Sequence, residues 1–320
     1  PAVPLVVPEV NPEDVKVQVL CQCREHLIKR TFEAIEGCRN VIFHIYNSTS
    51  TLQRDVVFNM DREGIKEIAT SATKMVKEYA DSFNGNLQLQ YSPESFTGTE
   101  LDFALDICEA VKAVWQPVPE KLDLMLFSPH QDDELLFFGG AIPYACSKNA
   151  DVGVVYMTNC GRSRYSEALD GLWTAGLRNH PIFLNWQDQW GYSVNHALNT
   201  WSLNGVDPQK KVVQLIRQYK PEVIVGPDPE GEYGHAQHKL TSQLVCDAIS
   251  LAMDASYDPA SAQAYGVWEV KKVYLHLYTE NRIEMDWNQP FSQDTPISPI
   301  FLAKEAYDKH RSQQKEFSMT

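Results

Sequence analysis

Apolar positions along the chain fall into two series of alternating strand-like and helix-like stretches, with a break near residue 119. In the first series "VKVQVL" (15–20) alternates as a strand does. "EHLIKRTFEAI" (25–35) has helical apolar spacing, with Gly37 behind it as a stop signal. "NVIFHIYNSTS" (40–50) reads as a strand entering a polar loop, and "DREGIKEIATSATKMVKEYADSF" (61–83) as a long helix opened by Asp61. "NLQLQYSPES" (86–95) is again strand then loop, and "TELDFALDICEAVKAVW" (99–115) is predicted as a helix with Thr99 and Asp102 at capping-box spacing. The βαβαβα order predicts a parallel arrangement with polar loops at the strand C-termini.

The pattern restarts after "WQPVPEKLDLML", where Pro117 and Pro119 bracket a short linker. Strands are predicted at 122–127, 151–159, 180–186, 221–226 and 270–278. Helices are predicted within "DELLFFGGAIPYACSK", at 163–177, at 208–220 and within "PDPEGEYGHAQHKLTSQLVCDAISLAM". "DQWGYSVNHALNTWSLNG" (188–205), rich in Trp, Asn and Tyr, reads as a loop suited to facing a sugar. This alternation predicts an open, doubly wound parallel sheet with ligands outside the carboxyl ends of its strands. Two domains are expected, 1–119 and 120–320.

Composition narrows the partners. A hydrophobic fraction of 43% with 22% charged residues fits a soluble globular chain. The net charge of -14, from 42 acids against 28 Lys and Arg, argues against broad binding to nucleic acid or anionic membranes. The odd count of 7 cysteines, with Cys21 and Cys23 too close for the usual zinc spacing, points to reduced thiols in a cytoplasmic compartment. No apolar run approaches the ~20 residues of a membrane span. The stretch "PAVPLVVPEVNPEDV" has no basic region ahead of an apolar one, so no signal peptide is expected.

Two loops at the expected carboxyl edge carry chemistry. In "LDLMLFSPHQDDELLFFGG" (122–140) a buried strand runs into His130, Asp132, Asp133 and Glu134; the second loop holds Tyr233, His235 and His238. A divalent metal accounts for the adjacent acids, because its charge favours their ionised form. His130 and Asp133, at i, i+3, can face one ion while Asp132 projects elsewhere, and His238 completes a three-ligand set that leaves a position for water. Such a metal acidifies that water, and Asp132 can accept its proton. His235, one turn before His238, can act on the same substrate. Taken singly, the acids also suit a helix N-terminus, and an H-x-x-H pair is a weak metal signal; the two loops at one sheet edge carry the combined reading. Histidines 26, 180, 196, 276 and 310 are expected at surface or satisfied core positions; taken singly, Arg164 and Glu167 also suit an ordinary i, i+3 ion pair.

Two family resemblances follow. "VLCQCREHLIKRTFEAIEG", "HIYNSTSTLQRDVVF" and "YSPESFTGTELDFALDICEAV" resemble the middle of 2-isopropylmalate synthase over residues 12–118. That resemblance implies three units of a (β/α)8 barrel, with His44, Ser92 and Glu94 at positions that contact a keto acid. The metal-binding "TLRDG" and "HxH" motifs of that family are absent from these residues, and three units cannot close a barrel. No synthase activity is expected, and the open edges are expected to promote homo-oligomerisation. "SPHQDDELLFFGG", "YMTNCGRSRYSEALDGLWTAGL", "FLNWQDQW", "VIVGPDPEGEYGHAQH" and "KHRSQQ" resemble the PIG-L/LmbE family of zinc-dependent N-acetylglucosamine deacetylases over residues 121–320. This resemblance implies a Rossmann-like α/β sandwich. It implies zinc on His130, Asp133 and His238, with Asp132 as general base. His235 and Tyr233 would stabilise the oxyanion, and Arg164 and Asp188 would meet the substrate, a small amino-sugar conjugate. Gln131 and Gln237 depart from the family pattern, the latter standing where many members carry an aspartate. The rival readings are a leucine-pathway acyltransferase fragment and a sugar- or metal-binding module without catalysis.

Overall fold

The computed structural model describes residues 15–116, 121–292 and 295–314; the N-terminal stretch 1–14 and the linker between Pro117 and Pro119 lie outside them. The chain divides into two compact units, Pro1–Val118 and Pro119–Thr320.

In the first unit the elements run β1 (Val17–Gln22), α1 (Glu25–Ala34), β2 (Asn40–Ser48), α2 (Thr51–Gln53) leading into a wider turn at Arg54–Phe58, α3 (Arg62–Ala80), β3 (Asn86–Glu94) and α4 (Leu101–Trp115). The three strands pair in parallel in the order β1-β2-β3, so the barrel is not closed. The two-residue period of β2 sends Val41, Phe43 and Ile45 into a core with Ile28 of α1 and Ala72 and Val76 of α3. It turns His44 to the other face, where Gln18 Nε2 lies 3.1 Å from His44 Nδ1 and 2.9 Å from Gln90 Oε1. Asp61 caps α3 as predicted, accepting from Gly64 N at 2.9 Å. The predicted cap on α4 does not form. The helix begins at Leu101 with Glu100 as its N-cap, Thr99 Oγ1 donates to Ser95 O, and Asp102 pairs with Arg62. The ion pair draws the acid outward, and the hydroxyl finds a backbone acceptor closer than the helix start.

In the second unit the order is β4 (Leu124–Ser128), α5 (Asp133–Leu136), α6 (Ala141–Ser147), β5 (Val152–Asn159), α7 (Arg162–Thr174), β6 (Ile182–Gln187), α8 (Val194–Trp201), α9 (Pro208–Tyr219), β7 (Val223–Gly226), α10 (Ala236–Met253), α11 (Pro259–Tyr265), β8 (Lys272–Leu275) and α12 (Pro299–Tyr307). Five parallel strands lie in the order β6-β5-β4-β7-β8. The chain steps outward from β4 to β6, then returns to β7 on the other side of β4. The crevice at the β4 and β7 carboxyl ends is therefore the topological switch point, where ligands of open α/β sheets bind.

Strand periodicity builds two cores, one on each face. Met125, Phe127, Val155, Met157 and Ile224 pack against α8, α9 and α10. Leu126, Val152, Val154 and Tyr156 pack against α5, α6, α7 and α12. Fully burying a side chain such as Phe127 contributes about 1.5–3 kcal/mol. The segment 188–205, read as a loop, contains α8: Val194, Ala197, Leu198 and Trp201 recur at helical spacing, and Trp201 is buried. α12 packs close to α7 because position 171 is glycine; a Cβ there would lie 3.0 Å from His310 Nε2 and 3.1 Å from Ala306 O.

Candidate metal centre and active site

The loop after β4 and the start of α10 meet at the switch point. Ser128 Oγ donates to His130 O, and Thr158 of β5 donates to Pro129 O through both its backbone N and its hydroxyl. These bonds fix the loop against the sheet. His130, Asp133 and His238 are all buried. His130 Nδ1 lies 2.9 Å from Asp133 Oδ2, and His238 Nε2 lies 3.2 Å from that oxygen and 3.2 Å from His130 Nδ1. Side chains 108 residues apart thus place three polar atoms in one small triangle.

The outward partners determine where the protons sit. Gln237 Nε2 donates to Gln187 O, so its Oε1 is the acceptor that faces His130 Nε2 at 2.9 Å. His130 therefore carries a proton on Nε2. Glu232 Oε2 lies 2.5 Å from His238 Nδ1 and can only accept from it, so His238 is protonated on Nδ1. In neutral rings the inward nitrogens are then lone pairs that converge with the Asp133 carboxylate. Such a set must hold protons or a cation between its members. Burial resists a charge on His130, but Asp133 and Asp188 outweigh it and raise the imidazole pKa well above 6.5. On Asp133 burial is likewise outweighed by His238 and His130, which hold the carboxyl below its ordinary value. A field that favours a proton here also favours a divalent cation, and two imidazoles with one carboxylate fit zinc.

His235 joins the group: His130, His235 and His238 each offer a nitrogen within 4.8 Å of the others. His235 Nδ1 accepts from Gln237 N, capping α10, so the neutral ring bears its proton on Nε2 and is a donor there. Burial, with His130 and His238, lowers its pKa to about 4, which keeps it neutral. Gln237 thus contacts His235 only through its backbone; its amide serves His130.

Asp132 adopts φ 140° and ψ -31°, a conformation that L side chains rarely take. Glu134 Oε2 accepts from Asp132 N, and Arg164 Nη2 donates to Asp132 Oδ1 at 2.7 Å. Burial and the charge of Asp133 raise the Asp132 carboxyl to about 7 against the pull of Arg164. Arg164 does not pair with Glu167. It turns to Asp132 and Gln131 O, while Glu167 accepts from Ser312. Asp188 Oδ1 lies 3.4 Å from His130 Nε2. It also borders a half-open cavity of about 630 Å³ lined by Asn159, Asn185, Trp201, Leu203 and Asn204 among others. Tyr233, in the left-handed region at φ 46°, stacks on Trp190 at 5.8 Å and lies 5.6 Å from the His238 ring. Trp190, Tyr192 and Tyr233 are exposed and form an aromatic rim.

Two histidines expected to stand apart are tied to the site. His276 Nδ1 lies 2.7 Å from Glu232 Oε1, and buried His310 Nε2 lies 2.9 Å from Glu134 Oε1. Glu232, which no motif singles out, is buried. Burial opposes its ionisation, yet hydrogen bonds from His238 and His276 hold its carboxyl down to about 2. In the first unit, His44 Nε2 lies 2.8 Å from Ser92 Oγ, while Glu94 accepts from Ser48 instead.

Residues 6–118 match the HMGL-like family, and residues 125–249 match the GlcNAc-PI de-N-acetylase family, PIG-L. Among curated proteins, the 2-isopropylmalate synthase of Rhizobium johnstonii is 58% identical over 271 residues, 81% of this chain and 47% of that protein. The synthase of Desulfitobacterium hafniense is 52% identical over 116 residues, 36% and 21% respectively. The chain spans less than half the length of these relatives. Among solved structures, the conserved protein TT1542 from Thermus thermophilus covers 61% of this chain and 81% of its own at 21% identity and TM-score 0.44. The N,N'-diacetylchitobiose deacetylase from Pyrococcus horikoshii covers 59% and 70% at 19% identity and TM-score 0.46. The chain therefore joins an HMGL-like segment at residues 6–118 to a PIG-L segment at residues 125–249.

Proposed function

We propose that the second unit is a divalent-cation-dependent N-deacetylase, with zinc as the cation and an N-acetylglucosaminyl compound as the substrate. The observation that carries this reading is the triangle of His130 Nδ1, Asp133 Oδ2 and His238 Nε2 beside Asp132. The match of residues 125–249 to the GlcNAc-PI de-N-acetylase family supports it. His130, Asp133 and His238 would hold the cation. When bound there, it supplies Lewis-acid polarisation of the amide carbonyl and acidifies water toward a pKa of ~7.

The chain's own groups do the rest. Asp132, with Oδ1 held by Arg164, keeps Oδ2 to take the proton of the attacking water. Although the residue is half exposed, desolvation of its phenol and the charges of Asp133 and Asp132 raise the Tyr233 pKa, so it stays protonated and can donate. Tyr233 and His235 Nε2 donate to the oxyanion that develops on the carbonyl oxygen. The proton taken by Asp132 passes to the amine as the C–N bond breaks, giving the free amino sugar and acetate. Asp188 and the aromatic rim suit a sugar, whose hydroxyls bond acids and whose ring faces stack on Trp and Tyr. All seven cysteines are free thiols, in keeping with a cytoplasmic enzyme. The first unit, with an unclosed sheet, is assigned no synthase activity.

Release of acetate and amine from N-acetylglucosamine glycosides tests the reading. Asp132→Asn should lower turnover by about 10²–10⁴-fold while leaving the bound cation in place. Full activity in that variant would remove Asp132 from the mechanism. Absence of acetate release by the zinc-loaded chain on a range of N-acetylglucosaminyl compounds would overturn the substrate class.

A further inference from the structure

We infer that Glu232 is a positioning residue for the cation site: shared between His238 and His276, its carboxylate holds His238 in the tautomer and rotamer that present Nε2 to the ion. This rests on the cation reading above and adds a residue that does not itself join the triangle.

Glu232 receives three hydrogen bonds. His238 Nδ1 lies at 2.5 Å from Oε2, while His276 Nδ1 at 2.7 Å and Asp228 N at 3.1 Å share Oε1. Both carboxylate oxygens are engaged, so the group cannot rotate without breaking a bond on each side. The donors come from three places: the loop after β7, the first turn of α10 and the residue just beyond β8. His276 is anchored in turn, because its backbone N donates to Gly226 O at the end of β7. Phe137 and Phe138 pack on its ring at 5.7 and 6.0 Å.

The local backbone is shaped for this contact. Gly231 has φ +71°, and a Cβ there would lie 2.6 Å from His235 O; only glycine lets the turn that carries Glu232 press against the start of α10. The outward N–H of His130 faces the amide oxygen of Gln237 at 2.9 Å, with the Asp188 carboxylate farther off at 3.4 Å, whereas that of His238 meets the Glu232 carboxylate directly at 2.5 Å. An anionic partner makes an imidazole a stronger donor to a metal and fixes which nitrogen is free. The strength of His238 as a nitrogen ligand therefore depends on Glu232.

The test uses the full chain in its metal-free form. Zinc affinity is measured by competition with a chromophoric chelator, and the visible spectrum of the cobalt(II) form is recorded alongside. Glu232→Gln should weaken zinc binding by about 10–100-fold. It should also shift the cobalt bands, with the far-UV circular dichroism of the metal-free protein unchanged. His276→Gln, which leaves one carboxylate oxygen without its imidazole, should weaken binding in the same direction by less. If wild type binds zinc and Glu232→Gln binds within about 3-fold with an unshifted cobalt spectrum, the inference fails and the cation reading stands. If wild type binds no divalent cation, both fail. Should Glu232→Gln not fold, unchanged affinity in His276→Gln overturns the inference.

Discussion

Glu134 shows how much of this site is arranged by single residues behind it. One of its oxygens accepts from Asp132 N in the strained turn, and the other pairs with His310 Nε2; both side chains are fully buried. Burial disfavours the His310 imidazolium, but Glu134 outweighs it and raises the pKa above 6.5. A group whose pKa is raised on folding contributes stability that is complete below its unfolded value and is lost as pH rises through its folded value. The thermal midpoint is therefore expected to fall as pH climbs above about 6.5, and His310→Gln should remove part of that slope. Identical slopes in the two proteins would show that the pair does not titrate in this window. Of the site's residues, His130, Asp133 and His238 were legible because spacing within each loop and the sheet edge bring them together. Glu232, Gln237, His276 and His310 were not, because their roles depend on the approach of β8, of the segment after α12 and, for Gln237, of the end of β6, which no local spacing encodes.

At the scale of elements, sequence period and structure agree wherever an apolar stripe faces one of the two cores. α8 carried that stripe within residues 188–205, but its Trp, Asn and Tyr content pointed to a loop. The predicted cap at Thr99 failed for the opposite reason: a good local pattern lost to an ion pair with a distant helix. The turn before α10 is the element on which the site depends most. Gly231→Ala forces a side chain into the left-handed region and against His235 O. It should cost about 1 kcal/mol or more and lower activity by displacing Glu232. A variant with wild-type stability and turnover would show that the turn adapts freely. Trp201→Ala, at a residue that lines the 630 Å³ cavity, should destabilise the second unit by about 3–5 kcal/mol in urea unfolding. A loss under about 1 kcal/mol would show that α8 is not part of the cooperative core.

Across the whole molecule, the alternation of strands and helices foretold two parallel α/β sheets but not their strand order. The return of β7 to the side of β4 depends on crossover packing, and that return creates the switch point where the two loops meet. Among the described residues no helix is long and apolar enough to cross a membrane. Among the described residues of the first unit β1 and β3 are sheet edges, and Leu52, Val56, Val57, Leu101 and Leu105 are exposed. Unpaired edges and apolar surface favour association. Light scattering should accordingly give a mass above the 36.3 kDa of one chain, and a strict monomer across micromolar concentrations would contradict this.

The central claim is that one divalent cation is held jointly by the turn after β4 and the first turn of α10. The most direct measurement is anomalous diffraction at the zinc edge from crystals of the zinc-loaded chain. A single strong peak is expected within bonding distance of His130, Asp133 and His238 together. A peak bound by only one of the two loops, or none at this crevice in a protein shown to contain zinc, would contradict it.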